Sequence, residues 1–160
     1  MIRRKLSLHV AKKNIKIFET LSDDAKEIRQ AVFMGEQGFE NEFDEIDERS
    51  THIVMYNQEN EPIATCRVFI GEDEDTYILG RLAVKKQYRG QNIGTKMVAE
   101  AEKVVKRKGG NSLCLHAQCR VKSFYEKSGF DAYGQVDEDE GCPHIWMKKQ
   151  ICACFFDRID

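Results

Sequence analysis

The segment Arg89-Gly90-Gln91-Asn92-Ile93-Gly94-Thr95 carries the clearest chemical pattern in the chain. It follows an apolar stretch, Thr76 to Val84, and leads into Ile93, Met97, Val98, Ala101, Val104 and Val105, which recur at helical spacing with Lys and Glu between them. A strand therefore ends, a glycine-bearing turn follows, and an amphipathic helix begins. The first turn of such a helix has N–H groups without intrahelical partners and the positive end of its dipole, a combination that binds phosphate. Gly90 and Gly94 lack a Cβ that would hold the backbone away from a diphosphate, and Arg89 adds a positive charge. Two other phosphate patterns fail on spacing. A Walker A loop needs four residues between its glycines and then Gly-Lys-Ser/Thr, whereas three residues separate Gly90 from Gly94 and Thr95-Lys96 stand in the wrong order. The residues do not make G-x-G-x-x-G either, and that motif requires a parallel sheet.

The elements that must hold this turn are legible in outline. Asn14 to Phe18 alternates like a strand, and Ser22 offers an N-cap before Ala25, Ile28, Ala31 and Val32 at helical spacing. Gly35 to Arg49 is acidic and aperiodic, a loop or irregular helix whose carboxylates could line a site for a cation. His52 to Tyr56, Pro62 to Ile70 and Thr76 to Val84 read as an antiparallel meander. The helix after Gly94 stops at Gly109-Gly110. Ser112 to Ala117 is a strand, Val121 to Ser128 a short helix ended by Gly129, and Phe130 to Tyr133 and Ile145 to Met147 are strands. The order is β-α-β-β-β-α-β-α-β-β.

The turn and this order resemble the GNAT superfamily, whose acetyl-CoA motif, Q/R-x-x-G-x-G/A, lies between the fourth strand and the following helix. Arg89, Asn92 and Gly94 fall on its three defined positions. Asn92 stands where glycine is usual, and Asn most readily replaces glycine in left-handed backbone. Ser123-Phe124-Tyr125-Glu126-Lys127-Ser128-Gly129-Phe130, after Ala117-Gln118, is similar to a second family motif, F-Y-x-x-x-G-F. The segments Ile28 to Gln37, Glu45 to His52 and Gly141-Cys142-Pro143-His144 resemble an ElaA-like branch of bacterial GNATs.

The resemblance implies an α+β (α/β) fold, with a mixed, mostly antiparallel central sheet of six to seven strands flanked by about four helices. It implies a bacterial N-acetyltransferase that moves acetyl from acetyl-CoA directly to a primary amine of a small molecule or peptide. Leu82, Ala83 and Val84 would pair with the pantetheine arm. Arg89, Gly90, Gln91, Asn92, Ile93, Gly94, Thr95, Ser123 and Tyr125 complete the CoA-binding set. Tyr125 matches the position from which the departing thiolate is protonated.

An ammonium acceptor must lose a proton before attack, and His144 ranks first as the base, ahead of His52 and His116, which read as strand residues. Glu36, Gln37 and His52 are assigned to the acceptor pocket. Asp44, Glu45 and Asp47 either draw the amine in or are solvated loop charges. The alternative function is an acyl-CoA-binding regulatory or scaffold protein without turnover.

The bulk properties fit one globular domain: 160 residues, 41% hydrophobic, 32% charged, two prolines. A formal charge of -2 argues against nucleic acid, and no apolar run approaches the roughly 20 residues of a membrane span. With no apolar signal segment after the start, the expected location is cytoplasmic. The six cysteines lack C-x-x-C spacing and are expected reduced, with no metal site. Residues 1–13 form a basic extension, 14–150 the acyltransferase domain, and 151–160 an apolar tail suited to covering the core or joining a homodimer.

Overall fold

A computed structural model describes residues 14–151. The basic extension and all of the tail but Ile151 lie outside the described residues, and with them the expected dimer contact. Among the described residues seven strands form one sheet in the order β1-β2-β3-β4-β5-β7-β6. They are β1 (Ile15–Phe18), β2 (Thr51–Tyr56), β3 (Pro62–Ile70), β4 (Thr76–Val84), β5 (Ser112–Gln118), β6 (Asp131–Asp139) and β7 (Cys142–Gln150). All neighbours run antiparallel except β4 and β5, which are parallel. The α-helices are α1 (Asp23–Arg29), α2 (Ile93–Arg107) and α3 (Lys122–Lys127). Among the described residues the three α-helices are joined by short 3-10 turns and a π-helical segment, Gln30–Glu36, that prolongs α1.

Residue alternation along the strands divides the core between the two faces. On β2, Ile53 and Met55 pack with the buried stripe of α2, which includes Met97, Val98, Ala101 and Val105. Val54 and Tyr56 face the other way, against Ala25, Ile28, Val32 and Phe33 of α1 and its extension. Ser22 caps α1 by accepting from the Ala25 N–H at 3.2 Å, with Asp23 and Asp24 in the first turn. Helices thus cover both faces of the sheet, and none among the described residues is long and apolar enough to cross a membrane.

The parallel pair is short. Its register runs from Thr76 opposite Ser112 to Leu79 opposite Leu115 and then stops. Immediately beyond, β4 carries a bulge against β3: Thr65 pairs with Ala83 and Arg67 with Gly80, so Arg81 and Leu82 together oppose Cys66. Arg81 takes the left-handed conformation, φ 53°. The bulge turns β4 away from β5, and the two strands part like the arms of a V.

The acidic loop ahead of β2 is fastened beside this bulge by six charges. Arg29 Nε donates to Glu42 at 2.8 Å, and its Nη1 and Nη2 donate to Asp47 at 2.7 and 3.1 Å. Arg67 Nη1 reaches Asp44 at 2.6 Å and Asp47 at 2.8 Å, while Arg81 bonds Glu42 and Asp44 at 3.1 and 3.3 Å. Arg29, Arg67, Glu42 and Asp47 are buried. Burial alone would raise the Asp47 carboxyl, but hydrogen bonds from Arg29 and Arg67 hold it at about 2. Glu42 moves upward instead, because burial outweighs Arg81 and Arg29.

Removing one partner from this network leaves opposite charges buried without compensation. Arg29→Ala should therefore cost about 3–5 kcal/mol in urea unfolding. The Asp47 contribution has a defined pH window: a carboxyl depressed on folding stabilises above its unfolded value, near 3.8, and loses that effect as pH falls towards about 2. Unfolding curves of wild type and Asp47→Asn should differ at pH 7 and converge across that interval. Parallel curves would show that the carboxylate charge is not what Asp47 contributes.

Candidate active site

The parting of β4 and β5 opens a cleft of about 1450 Å³. One wall is the stretch Gly80 to Val84 of β4; the other is Leu115 to Gln118 of β5. On its β3 side β4 remains paired, but from Gly80 onward no ladder to β5 occupies its other edge. Leu82, Ala83 and Val84 line the cleft with no strand on their β5 side.

The glycine-bearing turn before α2 closes one end. Gly90 sits at φ 80°, and Asn92, the N-cap of α2, sits at φ 60° and ψ 19°, the left-handed conformation expected for Asn in place of glycine. No side chain caps the helix, and the first intrahelical bond from the N-cap carbonyl is to Lys96 N. The N–H groups of Ile93, Gly94 and Thr95 are thus without intrahelical acceptors, and all three residues line the cleft. These features fit a diphosphate. Gln91 is exposed and does not line the cleft. The reason for Gly94 is also different from the one its sequence suggests. A Cβ there would lie 3.1 Å from the Phe124 ring, so this glycine lets α2 and α3 approach. At Gly90 nothing lies within 4 Å, and the constraint is the positive φ.

Arg89 and Glu36, assigned to opposite ends of the reaction, are joined to each other. Arg89 Nη1 and Nη2 grip the Glu36 carboxylate at 2.8 and 3.0 Å, and Nε donates to the Val84 carbonyl at 3.0 Å. Both residues line the cleft, but Glu36 is committed to Arg89 and is not a free anion for an amine. Gln37 accepts from Gln118 Nε2 at 2.9 Å, a bridge from the end of the π-helical segment to β5.

His52 falls outside the pocket assigned to it. It is 1% exposed, and its Nε2 bonds the Asp47 main-chain oxygen at 3.0 Å beside the charge network. Asp44 and Asp47 are likewise engaged with Arg67 and do not line the cleft, so neither forms a cation site nor a funnel for amines. The arginines paired with Asp44 and Asp47 lie 18 or more positions away in sequence, which hides the pairing from any local pattern.

Tyr125 lines the cleft from α3, with its ring edge-on to Phe124 and Phe130. Burial, with a small contribution from Cys66, pushes its phenol above the usual range and keeps it protonated at neutral pH. Its hydroxyl has no hydrogen-bond partner among the described residues. Ser123 is also on the wall. Four described cysteines, Cys66, Cys114, Cys119 and Cys142, are free thiols.

The far end of the cleft holds His144 and a residue that strand periodicity had set aside, His116. Their rings lie 4.7 Å apart, and His116 also stacks on Trp146 at 4.8 Å. The Asp139 carboxylate belongs to the same group, with one polar atom from each of the three residues within 4.8 Å of the others. The two imidazole planes are inclined by only 31°.

Comparison with known proteins agrees with this geometry. A family model described as the acetyltransferase (GNAT) domain matches residues 18–151. YyaT of Bacillus subtilis (strain 168) is 36% identical over 146 residues, covering 86% of this chain and 96% of YyaT. The crystal structure of Escherichia coli ElaA superposes with a TM-score of 0.73 at 25% identity, covering 84% of this chain and 99% of that one. A solved aminoglycoside 6'-N-acetyltransferase complexed with coenzyme A shares the fold at 20% identity and a TM-score of 0.69, over 86% and 97% of the two chains. With the family model spanning residues 18–151 and these relatives beside it, the chain is a member of the GNAT acetyltransferase family, on its ElaA-like branch.

Proposed function

We propose that the protein is an N-acetyltransferase that takes acetyl from acetyl-CoA and passes it directly to a primary amine of a small molecule or peptide. The observation that carries this reading is the open edge of β4 running into the uncapped first turn of α2, both on one cleft wall. An extended pantetheine arm fits against Leu82 to Val84 as an added strand, and the main-chain N–H groups of residues 93–95 suit the diphosphate. Arg89 would meet a phosphate only by sharing or exchanging its bonds to Glu36.

On this reading Tyr125 gives its phenolic proton to the sulfur as the C–S bond breaks. A backbone N–H of the unpaired β4 edge faces the charge that develops on the carbonyl oxygen. The imidazoles at the far end, His144 among them, are the bases available to the incoming ammonium. Gln37 is retained as a pocket residue, held by Gln118.

Tyr125→Phe should lower kcat for amine-dependent thiol release by about 10²-fold or more, with CoA affinity unchanged in calorimetric titration. CoA binding by the wild type with no turnover on any amine would instead favour an acyl-CoA-binding regulatory protein. The left-handed turn gives a second expectation. Asn92→Gly keeps CoA affinity, whereas Asn92→Val, which must force a β-branched residue into that conformation, weakens it about tenfold or more. Equal affinities in the two variants would detach the turn's conformation from donor binding.

A further inference from the structure

His116 is the first residue of β5 beyond the last pair with β4, so it stands at the fork of the V. Its Nε2 lies 2.7 Å from Asp137 Oδ1. A carboxylate accepts, so Nε2 carries the hydrogen and Nδ1 keeps its lone pair, with no hydrogen-bond partner among the described residues. His144 is fixed in the opposite sense: its Nδ1 lies 2.7 Å from the Cys142 carbonyl, which can only accept, so its lone pair is on Nε2.

The surroundings of the two rings differ in what they do for a positive charge. His144 is 7% exposed and has a neutral carbonyl as its partner. The His116 side chain is 23% exposed, is bonded to a carboxylate and has Asp139 close by. Asp139 lies within 4.8 Å of both rings, so the contact that distinguishes them is the carboxylate hydrogen-bonded to His116, that of Asp137. The charged or titratable groups facing His116 are Asp137 and Asp139 from β6 and His144 from β7; Trp146 supplies the apolar face on which the ring is stacked.

We propose that His116, oriented by Asp137, is the base that deprotonates the acceptor ammonium, and that His144 is the wall against which its ring is held. This rests on the transferase reading above. One ammonium proton passes to His116 Nδ1 and from there to solvent at the exposed β6–β7 hairpin. The freed nitrogen lone pair forms the C–N bond as the C–S bond breaks. Sulfur takes the Tyr125 proton, and the second proton of the former ammonium restores the phenol. Thioester and ammonium thus yield amide, thiol and one released proton. Asp137 is a positioning residue, since it acts through His116.

The base is tested with acetyl-CoA and two acceptors, an alkylamine that is an ammonium at pH 7 and an arylamine that is already neutral. His116→Gln should lose about 10²–10⁴-fold in kcat/KM on the alkylamine and stay within a few-fold of wild type on the arylamine. Asp137→Asn should show a smaller loss with the same dependence on acceptor, carried by kcat with KM steady. His144→Gln should lower both rates by a similar factor. CoA titration of each variant confirms an intact donor site. Equal losses on both acceptors in His116→Gln, or an acceptor-dependent loss in His144→Gln in its place, would overturn the assignment. If the wild type acetylates neither amine class, the transferase reading falls and the base with it, whereas alkylamine turnover that is unaffected in His116→Gln sinks the base alone.

Discussion

The parallel pairing of β4 with β5 ends at Leu79 and Leu115, and the cleft opens where it ends. A parallel ladder continued to Val84 would have filled the hydrogen-bonding edge of β4 and brought β5 against it. The interruption is built into β4 itself, by two residues opposite one and a non-glycine residue at φ 53°. An Arg in left-handed backbone is disfavoured, and it persists only where its surroundings determine it. Here they do: the Arg81 side chain is bonded to Glu42 and Asp44, whose loop is in turn clamped by Arg29 and Arg67. The charge network is costly to bury and weak evidence for stability as such. Its evident product is geometry, since it locks the loop, the bulge and the end of α1 into one body beside the cleft.

Electrostatics within the cleft are correspondingly restrained. The strongest cation at the phosphate turn, Arg89, is already bonded to Glu36 from the π-helical segment. On the proposed reading, binding at that end would lean on the N–H groups and dipole of the first turn of α2, which need no counterion to be released. π-helical turns are uncommon and recur at functional sites, and this one places Glu36 and Gln37 over the cleft from the opposite face of the sheet.

Much of this was legible in the residues, and the failures have physical reasons. The amphipathic stripe of α2, the meander and the turn at Gly90 to Gly94 are local patterns, and the structure has them within a residue or two. Asn92 adopts the backbone its side chain favours. The last hairpin was read as two short strands, because β6 is exposed along almost its whole length and Asp137 to Asp139 show no apolar alternation. That gap concealed Asp137 and so left His116 as an ordinary strand residue. Asp44, Asp47 and Glu36 were misplaced for another reason: each is paired with a residue distant in sequence, and charge pairing across a fold has no period, while His52 is buried against the Asp47 carbonyl five residues before it. Gly94 shows the mixed case, a position correctly singled out whose room is taken by Phe124.

A crystal structure of the protein with coenzyme A tests the open edge of β4 most directly. The expected result has the diphosphate on the main-chain N–H groups of residues 93–95 and the extended arm hydrogen-bonded along Leu82 to Val84 between the parted strands. Coenzyme A seated elsewhere, or β4 and β5 closed on each other in its presence, would contradict it.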